Sequence, residues 1–288
     1  MFCRLRHSLV AMTLLGFFGG AAGHATEPAA PPAPQTYLWQ NDPRVLNAYG
    51  LNSVSPFCLP AAIGTGILMQ WFGPGMDRLH RPTGANYSKL SGIEIKPDRI
   101  QIDAPRVLLN WNERCGANKD QGAQVVNGPG CIADFYREMG LTQFDIKLYR
   151  YFGEVMELGS AKHLPRHPTP EDMIRDLREG YAVVASIAFA KTNPETGLLT
   201  RYNAHAVLVL GLAEISKDEY LVWVTNPTRQ YRAELGEKNL DEVRLVRVEP
   251  SINQRLESSL TPWEWRGRLM DRPKSLSLLH AVTSFRPE

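Results

Sequence analysis

Hydrophobic and polar positions divide the chain into a helical first part and a strand-rich second part. Pro60 to Phe72 is apolar almost throughout, with proline at a first-turn position and Gly73-Pro74-Gly75 as a stop, which predicts a helix. Gly64 and Gly66 lower its helix propensity and permit close packing. Residues 76–130 are rich in Pro, Gly, Asn and charge, and read as loops and short helices such as Pro105 to Asn112. Ile132 to Met139 is apolar at helical spacing and ends at Gly140. "TPEDMIRDLREG" then gives a complete helix: Thr169 as N-cap, Pro170 in the first turn, Glu171 and Asp172 at the positive end, and Met173, Ile174 and Leu177 as the apolar face. The pattern changes after Gly180. "YAVVASIAF" (181–189) reads as a buried strand, and 204–215 and 219–227 as two strands joined by the turn Ser216-Lys217-Asp218. Residues 242–248 add a fourth strand, and Trp263 and Trp265 share one side of another, facing core or edge. The tail "PKSLSLLHAVTSF" has the spacing of an amphipathic helix. Helices first and an antiparallel sheet afterwards make the expected class α+β.

The N-terminal pattern is of another kind. Arg4 and Arg6 precede a ten-residue apolar run, Leu9 to Phe18, and small residues up to Gly23-His24-Ala25 follow. Such a run is too short to span a bilayer as a helix and reads as a secretion signal over residues 1–25. A periplasmic or secreted protein is expected, with no membrane contact after cleavage. Residues 26–36 are Pro/Ala-rich without a hydrophobic period and read as a linker. Residues 37–288 then form one domain. Two of the 32 basic residues leave with the signal, and thirty then face thirty acidic ones. That balance removes the basic excess a nucleic-acid or membrane-surface partner needs.

Export changes the meaning of the cysteines. Cys3 lies in the signal, leaving Cys58, Cys115 and Cys131, an odd number in an oxidising compartment. Cys115 and Cys131 flank fifteen mostly polar, glycine-rich residues, a loop whose closure contributes on the order of 3 kcal/mol. That pairing is favoured, and it leaves Cys58 as a free thiol; pairings through Cys58 stay open at this point. Cys58 stands just ahead of the first helix, where unpaired N–H groups and the dipole favour a thiolate. A cysteine nucleophile needs a base and a group that orients the base. His205 begins one strand of the hairpin and Asn226 ends the other, so antiparallel pairing sets them opposite each other within a residue or two. The imidazole is then expected to donate Nδ1–H to Asn226 and present Nε2 to the thiol.

The order of a Cys-Leu-Pro-Ala helix start, a helix-Gly-strand unit, "HAVLVLG" and "WVTNP" resembles the papain-like cysteine peptidases, and more closely the leader-peptidase domains of bacteriocin exporters. The resemblance covers residues 50–72 and 168–228, and leaves an insertion around 73–165 without a counterpart. It implies a papain-like fold, with the nucleophile helix packed on a C-terminal sheet. The implied activity is a thiol hydrolase acting on a peptide or protein, without metal or organic cofactor. The implied catalytic residues are Cys58, His205 and Asn226. Three departures stand out. Leu59 replaces the family's glycine, and Asn226 stands where the exporter domains have aspartate and papain has asparagine. The oxyanion glutamine has no obvious equivalent: Asn52 has the papain spacing, six residues before Cys58, but is one methylene shorter, and Gln40 lies eighteen residues away. Acyl transfer, cleavage of a cell-wall amide, and a non-catalytic peptide-binding shell are the alternatives. His163 and His167 are four apart, but Pro165 between them and Pro168 after them argue against a helical metal site. "GTGILMQW" lacks the Lys-Ser/Thr of a phosphate loop.

Overall fold

The computed structural model describes residues 29–31, 36–72, 82, 84–96, 99–152, 156–231, 237–267 and 275–288. The signal expected over 1–25, His80 and most of the linker lie outside them. The described residues form a mixed α+β structure with six α-helices and an eight-stranded sheet. A short helix α1 (Pro43–Tyr49) precedes α2 (Cys58–Phe72). A two-stranded ribbon, β1 (Ile93–Ile95) with β2 (Ile100–Ile102), leads into α3 (Ala104–Arg114) and α4 (Asn127–Glu138). Then come β3 (Phe144–Tyr149), β4 (Lys162–Leu164), α5 (Pro170–Arg178), β5 (Ala182–Thr192), β6 (Leu199–Ser216), β7 (Glu219–Thr225) and β8 (Asp241–Arg247). A one-turn helix α6 (Pro250–Asn253), β9 (Trp263–Arg266) and β10 (Leu276–Pro287) complete it.

The strand order is β4-β3-β10-β5-β6-β7-β8-β9, and every pairing is antiparallel except β3 with β4. β9 also pairs with β10, at Glu264 and Leu278, so six strands from β10 round to β9 close into a ring. Its interior is lined by Val183, Ile187, Val207, Val222, Leu245 and both Trp263 and Trp265, with Met173 of α5 packed against them. The expected α5 forms with a capping box between Thr169 and Asp172. Outside the ring, α2 lies on β5 and β6, covered in turn by α3 and α4. Ala182, Val184, Ala206, Leu208 and Phe285 share that second core with Ile63, Ile67 and Trp71. β5 is therefore buried on both faces, which is why its sequence runs apolar without alternation.

The same physics overturns one expectation. Residues 276–287 are a strand, not an amphipathic helix. β10 lies between β3 and β5 with helices on one side and the ring interior on the other, so Leu278 to Phe285 are all buried. Burial on both faces erases the period of two that would have marked a strand. One position shows how tightly α2 is seated. A Cβ on Gly64 would stand 2.4 Å from Leu38 and 2.8 Å from Trp111, so only glycine lets α3 approach this closely. Residues 104–149, within the expected insertion, supply α3 and α4 to the core and β3 to the sheet.

Cys115 and Cys131 are bonded, with Cα atoms 5.0 Å apart, and Cys58 is free. The bridge joins the end of α3 to the middle of α4 rather than the two ends of a structureless loop. A disulfide fits an oxidising compartment. Among the described residues no helix is long and apolar enough to cross a membrane.

Candidate active site

A cleft of about 520 Å³ opens between the start of α2 and the edge of the ring, and both Cys58 and His205 line it. Cys58 is the first residue of α2, where backbone N–H groups have no intrahelical acceptor. Its thiol meets the N–H groups of Ala206, Leu59 and Cys58 itself, all of which lower its pKa. Burial is the larger influence, and the thiol stands above its ordinary value. The expectation that the helix start makes a resting thiolate is therefore reversed: desolvation outweighs the helix-end amides. Contact with the Ala206 N–H places the sulfur beside the residue that follows His205.

His205 and Asn226 come together as expected. Imidazole Nε2 lies 2.9 Å from Asn226 Oδ1, and both residues are buried. The ladder does not align them directly. Leu208 faces Thr225, so Asn226, one residue past β7, is two positions out of line with His205, and the side chains close the gap. The imidazole is turned the other way from the expectation. Asn226 Oδ1 also accepts from Thr228 N–H at 3.2 Å and Thr228 Oγ1 at 2.7 Å. A backbone N–H can only donate, so this atom is the amide oxygen, and His205 must donate Nε2–H to it. Nδ1 is then the basic nitrogen.

Asn226 is itself held. Its N–H donates to Tyr231 Oη at 3.0 Å, and Tyr231 O–H donates to Asp241 Oδ2 at 3.0 Å. Arg229 pairs with the other oxygen of Asp241. Burial pushes the Asp241 carboxyl up despite these partners, and pushes the Tyr231 phenol up strongly. Tyr231 thus stays a neutral donor while it fixes the Asn226 backbone.

Asn52 does not join the site. It is exposed and does not line the cleft. Gln40 lines the cleft instead and is buried. Its Nε2 donates to the Ser55 carbonyl, leaving that nitrogen one further N–H, and its Oε1 has no partner. The backbone around it ties the two halves of the site: Gln40 N–H donates to the Pro227 carbonyl at 2.9 Å, and Ser55 O–H donates to the Gln40 carbonyl at 2.6 Å. Sequence spacing misses Gln40 because α1 intervenes and the chain doubles back, so eighteen residues along the chain become a neighbour in space.

Leu59 is buried in the α2 core, and a Cβ on Gly128 of α4 would lie 3.9 Å from its Cδ2. Its side chain packs toward α4, and Leu59 lines the cleft together with Cys58. The opposite wall is the loop tied down by the disulfide, in which Asn118 Oδ1 accepts from the N–H groups of Asp120 and Gln121. Gly122 there has φ +69°, and a Cβ would meet the Pro56 carbonyl oxygen at 2.1 Å, so the loop presses directly against the approach to Cys58.

His163 is a structural residue: Nδ1 accepts from Met156 N–H at 2.8 Å and Nε2 bonds the Arg150 carbonyl at 2.9 Å. His167 stacks on Tyr151. No protein-family model matches the chain, and no curated protein sequence matches it.

Proposed function

We propose that this protein is an exported papain-like thiol hydrolase, a cysteine peptidase in which Cys58, His205 and Asn226 act together. One observation carries the reading: a free thiol at a helix start shares a cleft with an imidazole whose protonated nitrogen is committed to a buried amide oxygen. That commitment leaves Nδ1 as the base. His205 Nδ1 takes the thiol proton as Sγ attacks the scissile carbonyl. The carbonyl oxygen becomes an oxyanion, met by the Gln40 Nε2–H and the Cys58 N–H. His205 then passes the proton to the leaving amine, and a thioester remains on Cys58. Water, deprotonated by the same imidazole, releases the acid product and restores the thiol. Because burial holds the resting thiol neutral, proton transfer accompanies attack rather than preceding it.

The reading as a non-catalytic binding shell requires Cys58 and His205 to stand apart; the shared cleft and the thiol contact at Ala206 support the enzyme instead. The test is incubation of the mature protein with a mixture of unrelated peptides and mass spectrometry of the products. New termini made by wild type and not by Cys58→Ala or His205→Ala are expected. Wild type that makes no new termini overturns the peptidase reading. Hydroxylamine in the same digest separates hydrolysis from acyl transfer: hydroxamate products in excess of acids mark a transferase.

A further inference from the structure

The cleft does not end at the nucleophile. Arg150, just after β3, and Arg201, on β6, line the same cavity. Neither forms an ion pair among the described residues. Arg201 Nη1 instead lies 3.0 Å from His280 Nε2, and His280 Nδ1 faces the Ser259 carbonyl at 3.3 Å. A guanidinium only donates, so His280 is neutral, with Nε2 accepting and Nδ1–H turned to Ser259. Burial and the two arginines hold it so, with a pKa of about 3. Arg150 rests over the Phe152 ring at 4.0 Å, and its Nε is buried without a partner. Its pKa is lowered to about 10, first by burial and then by the charge on Arg201. Two guanidinium groups that repel each other thus stand in one partly buried place without a carboxylate between them. Asp120 is the acid among the cleft residues, and it sits on the disulfide-tied loop, with no ion pair to either arginine among the described residues.

The strand register gives the distance from the thiol to the backbone beside His280, the imidazole that Arg201 reaches from further along β6, where its Cα stands opposite Ala190. Ala281, next to His280, faces Ser186, and Ser186 faces Ala206, whose N–H meets Cys58. Two strand spacings, about 10 Å, separate the two ends of that row. Ser186 lies between them, buried, lining the cleft, with its Oγ unpartnered. An extended peptide covers about 10 Å in three residues.

We propose that Arg150 and Arg201 form a carboxylate subsite, with Ser186 as an added donor, so that the enzyme selects peptides with a carboxylate a few residues from the scissile bond. The inference rests on the peptidase reading for the word "scissile", but the subsite itself is a binding property. The carboxylate comes either from a Glu or Asp side chain or from the peptide C-terminus. Bidentate guanidinium recognition of a carboxylate, by a half-buried Arg150 and an exposed Arg201 that have no ion-pair partner among the described residues, gives the selectivity.

The experiment is calorimetric titration of the Cys58→Ala protein, which binds without turnover. The probes are blocked six-residue Gly/Ala peptides with one Glu at each position in turn, the matching Gln series, and the unsubstituted peptide with a free or amidated C-terminus. One Glu position, or the free C-terminus, is expected to bind at least about tenfold tighter than its neutral counterpart, since a charge-assisted hydrogen bond contributes about 1.5–3 kcal/mol. Adding Arg201→Gln is expected to remove that preference while leaving the Gln peptides unchanged, and Arg201→Lys to restore part of it. Arg201 is exposed, so these changes leave the core intact. Equal binding of charged and neutral peptides, no binding by any of them, or a preference that survives Arg201→Gln overturns the subsite. Charge-selective binding in a protein whose wild type cuts nothing keeps the subsite and removes only the peptidase reading. Cleavage without charge preference does the reverse.

Discussion

The two ends of the cleft treat polar groups in opposite ways. At the His205 end, Asn226 Oδ1 takes three donors, and the chain of bonds runs on through Tyr231 to Asp241 and Arg229. At the other end, Arg150 Nε is buried without an acceptor and Arg201 leans on a neutral imidazole. A group that must hold one position has its hydrogen-bonding capacity filled by the protein. A group that must meet something from outside keeps its capacity open. A buried polar group left unpaired costs about 1–3 kcal/mol, so open donors are expected where a ligand repays the cost. Gln40 combines both: one N–H is held by Ser55, and the other is available to the cleft.

The contrast is broken most severely by removing the proposed nucleophile. Cys58→Ala is expected to lower kcat/KM on the order of 10⁴-fold or more, with the fold unchanged by circular dichroism; residual cleavage near wild type would move the chemistry elsewhere. Gln40→Ala is expected to cost about 10²–10³ in kcat with KM little changed, as for loss of one oxyanion donor, whereas Asn52→Ala leaves both constants alone. If Asn52→Ala were the damaging change, the assignment of Gln40 would be reversed. Asn226→Ala frees the imidazole to rotate and is expected to cost about 10²-fold in kcat, read together with a shifted pH profile that a purely structural loss would not produce.

Smaller effects sharpen the same contrast. The thiol pKa is raised, so below it the resting sulfur is neutral. Iodoacetamide should therefore label the free enzyme at pH 7 more slowly than it labels a cysteine peptide. The labelling rate should still be climbing above about pH 10, where a free thiol, with a pKa of about 8.5, has levelled off. Faster labelling than the peptide at pH 7 would mean a preformed thiolate. Tyr231→Phe removes the donor to the buried Asp241 and the acceptor for the Asn226 N–H. A loss of about 1–3 kcal/mol in urea unfolding is expected, with only a few-fold loss in kcat. An unchanged unfolding midpoint would detach this network from stability.

Local chemistry was legible along the chain, and distance was not. The Thr169 N-cap of α5, the apolar β5 and the turn of the β6–β7 hairpin are written in short-range pattern and form where that pattern puts them, although β6 begins at Leu199, five residues before the expected start. β10 fails the same test because tertiary burial on both faces removes the strand period from its sequence. Pairing Cys115 with Cys131 followed from counting cysteines and measuring a loop; that the bridge links two helices did not.

By itself, the sequence determined which residue types are available for chemistry: a cysteine at a helix start, a histidine on one strand of a hairpin, expected at its start but placed in mid-strand, and an asparagine at the end of the other. Only the tertiary structure decided how they face. Thr228 fixes the Asn226 oxygen and so selects which imidazole nitrogen is basic. α1 folds Gln40 back to the cleft, past Asn52. Burial raises a thiol that the helix end alone would lower. Gln40 reaches the cleft across eighteen residues and the thiol is raised by desolvation, neither of which is encoded in local spacing; the Thr228–Asn226 bond is local, but it bears on the imidazole only because the fold brings His205 to the same oxygen.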